Sequence, residues 1–203
     1  MKAIFRAMSV EFMRAIILSI GVYCLLLGGK ADAAELSAAQ QQALAAPASE
    51  LTQEIEHFLP LLLDWYAKAE TGLVAQGRPL SRLELHIARA LHIRQPDKVR
   101  IVVLEAFPLP DDAELRAEAE ASGMGQEDAR TMGYAILLKP YLHEDPGVIA
   151  HELVHIAQHD RMGRETFMRR YLTELEVLGY DAAPLEVEAY ERQDALLEAA
   201  NKQ

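Results

Sequence analysis

Cysteine is almost missing from this chain of 203 residues: the only one, Cys24, lies in an apolar run close to the start. A chain cleaved after that run carries no thiol, which excludes disulfides and thiolate ligands. Any metal in the remaining protein must then be held by His, Asp or Glu. Basic residues are also few, with 20 Lys and Arg against 31 Asp and Glu, a net charge of −11 and no Lys/Arg cluster. That balance argues against nucleic acid or an anionic membrane surface as the partner. Long apolar runs are absent too. The longest, from Ala15 to Leu27, falls short of the roughly 20 residues that span a bilayer.

What does stand at the start reads as an export signal. Lys2, Arg6 and Arg14 precede the apolar run, and Ala31-Asp32-Ala33 follows it as an AxA-like cleavage site. Residues 1–33 are therefore expected to be a signal peptide, with a mature chain beginning at Ala34 or Glu35 in the periplasm or outside the cell. The alternative is an uncleaved membrane anchor. Tyr23 stands where a lipoprotein signal needs a small residue before Cys24. Cleavage removes four basic and two acidic residues, leaving a net charge of −13 and no stable membrane span.

Residues 34–48 are rich in Ala and Gln and read as a linker or a loosely packed helix. Residues 49–203 read as one domain, since about half of the chain is apolar (51%) and can supply a core. Apolar residues at helical spacing predict a helix from Ser49 to Glu70, with Pro60 kinking or splitting it. His57 on it reads as a surface residue. Ser81 and Glu84 form a capping box for a short helix, with His86 and His92 at ordinary helix positions. Lys98–Leu104 and Gly133–Lys139 read as strands. Asp111 and Asp112 open an Ala/Glu-rich helix that closes near Gly123. Helices from about Glu165 to Leu178 and from Pro184 complete the chain. About six helices and two strands predict a mostly helical α+β fold, its small sheet arriving just before the next element.

That element is the stretch Ala150-His151-Glu152-Leu153-Val154-His155-Ile156. Asp145 is an N-cap, Pro146 suits the first helical position and Gly163 is a stop, so the stretch lies on a helix. Residues four apart on a helix are turned by only about 40° and displaced by about 6 Å, so His151 and His155 can ligate one ion. Glu152 flanks them, able to take a proton from a metal-bound water without ligating the metal. Val148, Ile149, Leu153, Val154 and Ile156 surround the helix with apolar side chains, and a helix apolar all round is buried. Burying three ionisable groups is costly unless they are paired or metal-bound. The competing reading is a pair of hydrogen-bonded core histidines.

Catalytic zinc usually takes three protein ligands. His159, Glu165, Glu174, Glu176, Glu186 and Glu188 are the candidates downstream. With about 100° per residue, Leu185, Ala189, Tyr190, Leu196 and Leu197 fall within about 100° of Glu186. Glu186 is then a carboxylate on the apolar face, which calls for a cation. Glu188 falls about 200° away, beside Glu191, Arg192 and Glu198, on the solvated face.

His151-Glu152-x-x-His155 followed by Glu186-x-x-Ala189 resembles the gluzincin metallopeptidases. HELVHIAQ with PLEVEA is also similar to small bacterial gluzincin-like domains of unassigned function. The resemblance covers roughly residues 133–192. It implies one zinc ion per chain on His151, His155 and Glu186, with Glu152 as general base. Two departures stand out. Tyr190 replaces an aspartate that many gluzincins carry four residues after the ligand glutamate. Gln158 and Arg161 stand where the metzincins have glycine and histidine.

The expected activity is hydrolysis of a peptide or protein substrate by zinc-activated water. Tyr180 or Tyr190 is expected to face the developing oxyanion, or else simply to pack, and Gln158 either to line the site or to serve helix packing. Two other readings stay open: a zinc-stabilised binding module of the cell envelope without turnover, and metal-assisted amide hydrolysis on cell-wall peptides.

Overall fold

The computed structural model describes residues 35–200 apart from residue 122. The expected export signal, residues 1–33, lies outside the described residues. Among the described residues no helix is long and apolar enough to cross a membrane.

Seven helices of eight residues or more and four short strands make up the described chain. In order they are α1 (Ala38–Ala45), α2 (Ser49–Gln76), β1 (Arg78–Pro79), α3 (Arg82–Ala90), β2 (Arg100–Val103), α4 (Ala113–Ala121), β3 (Ala129–Met132), β4 (Ala135–Leu138), α5 (Pro146–Met162), α6 (Arg164–Leu178) and α7 (Pro184–Ala200). The fold is mostly helical α+β with a small sheet, as expected. The sheet runs β1-β2-β4-β3, with β2 and β4 parallel and both outer strands antiparallel to their neighbours.

Strand alternation distributes the core over two faces of this sheet. Val102, Met132, Ala135 and Leu137 pack with α2 residues Leu51, Ile55, Leu59, Leu62, Trp65 and Tyr66. Ile101, Ala129, Ile136 and Leu138 pack with Ile87 of α3 and Ile149, Leu153 and Ile156 of α5. The sheet is thus a layer between α2 and the motif helix α5. Thr131 of β3 points to the α5 side. Arg130 points to the other, where it lies over the rings of Trp65 and Phe107.

Several local signals act as read. Ser81 and Glu84 close a capping box on α3, and Asp112 Oδ1 accepts the backbone N–H groups of Glu114 and Leu115 at the start of α4. Asp145 Oδ1 accepts from Gly147 and Val148 at 2.8 and 3.0 Å, capping α5. α1 has its own capping box, Ser37 with Gln40, yet none of its residues is buried.

Other expectations are corrected. Pro60 does not split its helix: α2 runs unbroken through it. Pro60 is exposed, so water can satisfy the carbonyl whose partner it removes, while Leu59 and Leu62 anchor either side. His92 is not helical; it follows α3 at φ 59°. Ile93 N–H donates to Ala88 O and His92 N–H to Arg89 O, which is a Schellman ending with histidine where glycine is usual. The strand expected over 133–139 begins two residues later. Gly133 at φ 63° and Tyr134 instead form the tight turn between β3 and β4. A side chain at Gly133 would collide with the Glu70 carboxylate, which accepts from Tyr134 N–H at 2.8 Å.

A candidate metal centre between the motif helix and the last helix

α5 lies between the sheet and α7, so its two histidines meet the buried face of α7. Leu185 and Ala189 are fully buried on that face, with Glu186 between them. His151 Nε2 lies 3.0 Å from His155 Nε2 and 3.2 Å from Glu186 Oε2, and His155 Nε2 lies 3.4 Å from Glu186 Oε1. An ion with bonds of about 2.0–2.1 Å to tetrahedral ligands separates those ligands by roughly 3.3 Å. The three side chains fit a divalent ion without rearrangement. They form the one His/Cys/Asp/Glu group among the described residues with ligand atoms clustered for a metal.

Burial sets the electrostatics. His151, Glu152, His155 and Glu186 are exposed by only 3, 1, 5 and 0%. Burial alone would raise the Glu186 carboxyl, but His155 and His151 hold it well below the usual carboxylate range. Burial likewise lowers His155, and the Glu186 carboxylate outweighs it, raising the imidazole to about 9.

Each candidate ligand is held from behind by a different device. The Tyr171 hydroxyl donates to Glu186 Oε1 at 2.6 Å. Burial, followed by the Glu186 charge, keeps that phenol protonated far above its ordinary range. His155 Nδ1 lies 2.9 Å from Gln158 Oε1. Gln158 Nε2 in turn donates to Leu185 O at 2.8 Å and to Glu188 Oε2 at 3.2 Å. His151 Nδ1 is buried without a hydrogen-bond partner, and the Tyr190 ring covers its imidazole at 4.5 Å between centroids.

Glu152 stands apart from the ligand set. Its Oε2 accepts from the Thr131 hydroxyl at 2.6 Å, while its Oε1 is buried without a partner. Both Glu152 and His155 line a cavity of about 50 Å³, together with Tyr66, Thr131, Phe167 and Tyr171 among others. A buried water needs roughly 10–15 Å³ on this measure, so the cavity has room for a few waters and no more.

The remaining sequence candidates do not join the three clustered side chains. The Tyr180 and Tyr190 hydroxyls lie 3.2 Å from each other, and neither residue lines the cavity beside Glu152. His159 Nε2 accepts from Arg164 Nε at 3.2 Å. Glu174 accepts from Leu185 N–H at 2.8 Å and from Arg170, steadying the start of α7. Glu165 is exposed and paired with Arg169. Glu188 is the clear correction. It is half-buried rather than on a solvated face, because α7 packs along α5 and brings it onto Gln158 and Arg161.

Thr131, Tyr66 and Tyr171 were not legible as site residues. Tyr171 alone left a signal: Phe167, Tyr171 and Leu175 form an apolar stripe on the helix after the motif, and a buried tyrosine needs an acceptor. No family model matches this chain, and comparison finds no similar curated protein and no similar solved structure.

Proposed function

We propose that this protein is an exported, zinc-dependent metallopeptidase of gluzincin type. The observation that carries this reading is Glu152. A fourth buried ionisable group, it stands outside the candidate ligand set, is fixed at one oxygen by Thr131, has the other without a partner, and lines one cavity with the candidate ligand His155. A metal-stabilised scaffold has no use for such a group. His151, His155 and Glu186 would hold the ion; two neutral imidazoles and one carboxylate are a donor set suited to zinc.

A bound zinc ion would supply Lewis acidity, lowering the pKa of water and polarising a carbonyl. The chain's own residues do the rest. Glu152 Oε1 takes the proton from the attacking water and returns it to the leaving amine, so that water and one amide yield a carboxylic acid and an amine. Thr131 keeps Glu152 turned toward the cavity. Tyr171 keeps Glu186 from swinging away.

The sheet supports a peptide as substrate. Among the described residues β3 is an outer strand, paired with β4 alone. Lys139 N–H donates to Asp128 O, so antiparallel alternation turns the backbone groups of Ala129 and Thr131 away from β4. Both residues line the cavity, and an extended peptide could pair with that edge.

The near-complete burial of the four side chains favours a second reading, a zinc-stabilised binding module without turnover. Cleavage of a broad peptide library by wild type and Glu152→Gln, with zinc content measured on both, separates the two. The peptidase reading expects both to hold zinc and hydrolysis to fall by orders of magnitude in the variant. Equal zinc content with no cleavage by either protein supports the module.

A further inference from the structure

The two histidines are backed unequally, and the difference leads out to the surface of α7. His151 Nδ1 has no partner, whereas His155 Nδ1 meets Gln158 Oε1 at 2.9 Å. Gln158 is fully buried, and its orientation follows from its neighbours. Its Nε2 faces two acceptors, Leu185 O and Glu188 Oε2, so its Oε1 must be the end that faces His155. An amide oxygen only accepts, so His155 Nδ1 carries a hydrogen and its Nε2 is left to face Glu186 and the ion.

Glu188 is charged. Arg161 donates to both of its oxygens, at 3.0 and 2.8 Å, and Arg192 lies 3.4 Å from one. A carboxylate pulling on one end of an amide makes the oxygen at the other end a stronger acceptor, because successive hydrogen bonds polarise one another.

We propose that Glu188 is the carboxylate that supports His155, acting through Gln158. Gln158 and Glu188 are positioning residues, and together they set how strongly the site holds zinc. Carboxylates commonly back metal-bound histidines directly, fixing the ring and raising its basicity. Here an amide stands between, and Gln158 also ties α5 to the backbone of α7 next to the ligand Glu186. Gln158 lies three residues after His155 and Glu188 two after Glu186, so the helices that supply the ligands also supply their support.

The inference rests on the metal-site part of the function proposed above and not on peptide cleavage. The test is zinc affinity, by competition with a chromogenic chelator, for wild type, Glu188→Gln, Gln158→Leu and the exchanged double variant Gln158→Glu/Glu188→Gln. Thermal unfolding of each metal-free protein is recorded beside it. Glu188→Gln is half-buried and keeps its shape, so it should fold like wild type and bind zinc about 10-fold more weakly; Gln158→Leu should lose more, up to about 100-fold. The exchanged variant moves the carboxylate directly onto His155 and should recover at least wild-type affinity. A merely structural role would not be rescued in this way. Wild-type affinity in Glu188→Gln overturns the inference, as does failure of the exchange to restore binding. Absence of zinc from wild type instead removes the metal site itself, and the inference with it.

Discussion

Thr131 Oγ1 lies 2.6 Å from Glu152 Oε2, joining the outer strand of the sheet to the motif helix at the buried motif carboxylate that stands outside the candidate ligand set. The same hydroxyl lies 3.1 Å from Glu152 O. The strand thereby fixes both the side chain and the backbone of the proposed base, and it does so from 21 residues away in sequence.

Thr131→Val keeps the shape of the side chain and removes the hydroxyl. It should leave zinc bound but lower peptide hydrolysis by about 10–100-fold. Leaving a buried carboxylate oxygen without its donor should also cost roughly 1–3 kcal/mol of stability. Thr131→Ser should restore most of both. Denaturant unfolding, zinc content and hydrolysis rates on the three proteins check this. Full activity in Thr131→Val would mean that Glu152 needs no such anchor.

Tyr171→Phe removes the 2.6 Å hydrogen bond to Glu186 Oε1. Loss of such an outer partner should weaken zinc binding by about 10–100-fold. A chelator competition that finds unchanged affinity would show that packing alone orients Glu186.

Glu54 on α2 offers a pH test away from the site. Burial, then the charges of Glu118 on α4 and Glu176 on α6, raise its carboxyl from 4.5 to about 7. Because the folded-state value lies above the unfolded one, the contribution favours folding below about 4.5 and is lost as the pH rises through about 7. Glu54→Gln should therefore raise the melting temperature at pH 8 and have little effect at pH 4. The group is only partly buried, so solvent screening limits the gain to about 1 kcal/mol or less. Equal shifts at the two pH values would contradict the assignment.

His92 ends α3 in the left-handed region at φ 59°. Glycine adopts that conformation without a Cβ penalty, so His92→Gly should stabilise the protein by about 0.5–1 kcal/mol. Denaturant unfolding measures it, and a destabilised variant would show that the His92 side chain makes up for the strain.

Much of the architecture was legible because its signals are local. Asp145, Pro146 and Gly163 bound the motif helix in sequence and in space, and the spacing of Leu185 and Ala189 put Glu186 on the buried face of α7. β3 was not legible. Its sequence, ARTM, has an arginine and a threonine where strand alternation would be sought, and the cation is buried only because Glu127, Pro108 O and two aromatic rings receive it. Glu188 misled for a related reason. Helical angles separate an apolar face from a polar one, yet they do not say that a neighbouring helix will bring Gln158 and Arg161 to the polar side. Thr131 and Tyr171 act on groups 15 or more residues away, which only the tertiary fold brings together.

Metal analysis of wild type, Glu152→Gln and Glu186→Gln, each refolded with excess zinc and then freed of loosely held metal, is the most direct measurement. Wild type and Glu152→Gln should each retain about one zinc per chain, because both keep all three ligands. Glu186→Gln should retain little, having exchanged the buried anionic ligand for a neutral one. A wild type without zinc, or a Glu186→Gln variant that holds zinc as firmly as wild type, would contradict the assignment of His151, His155 and Glu186 as a metal centre.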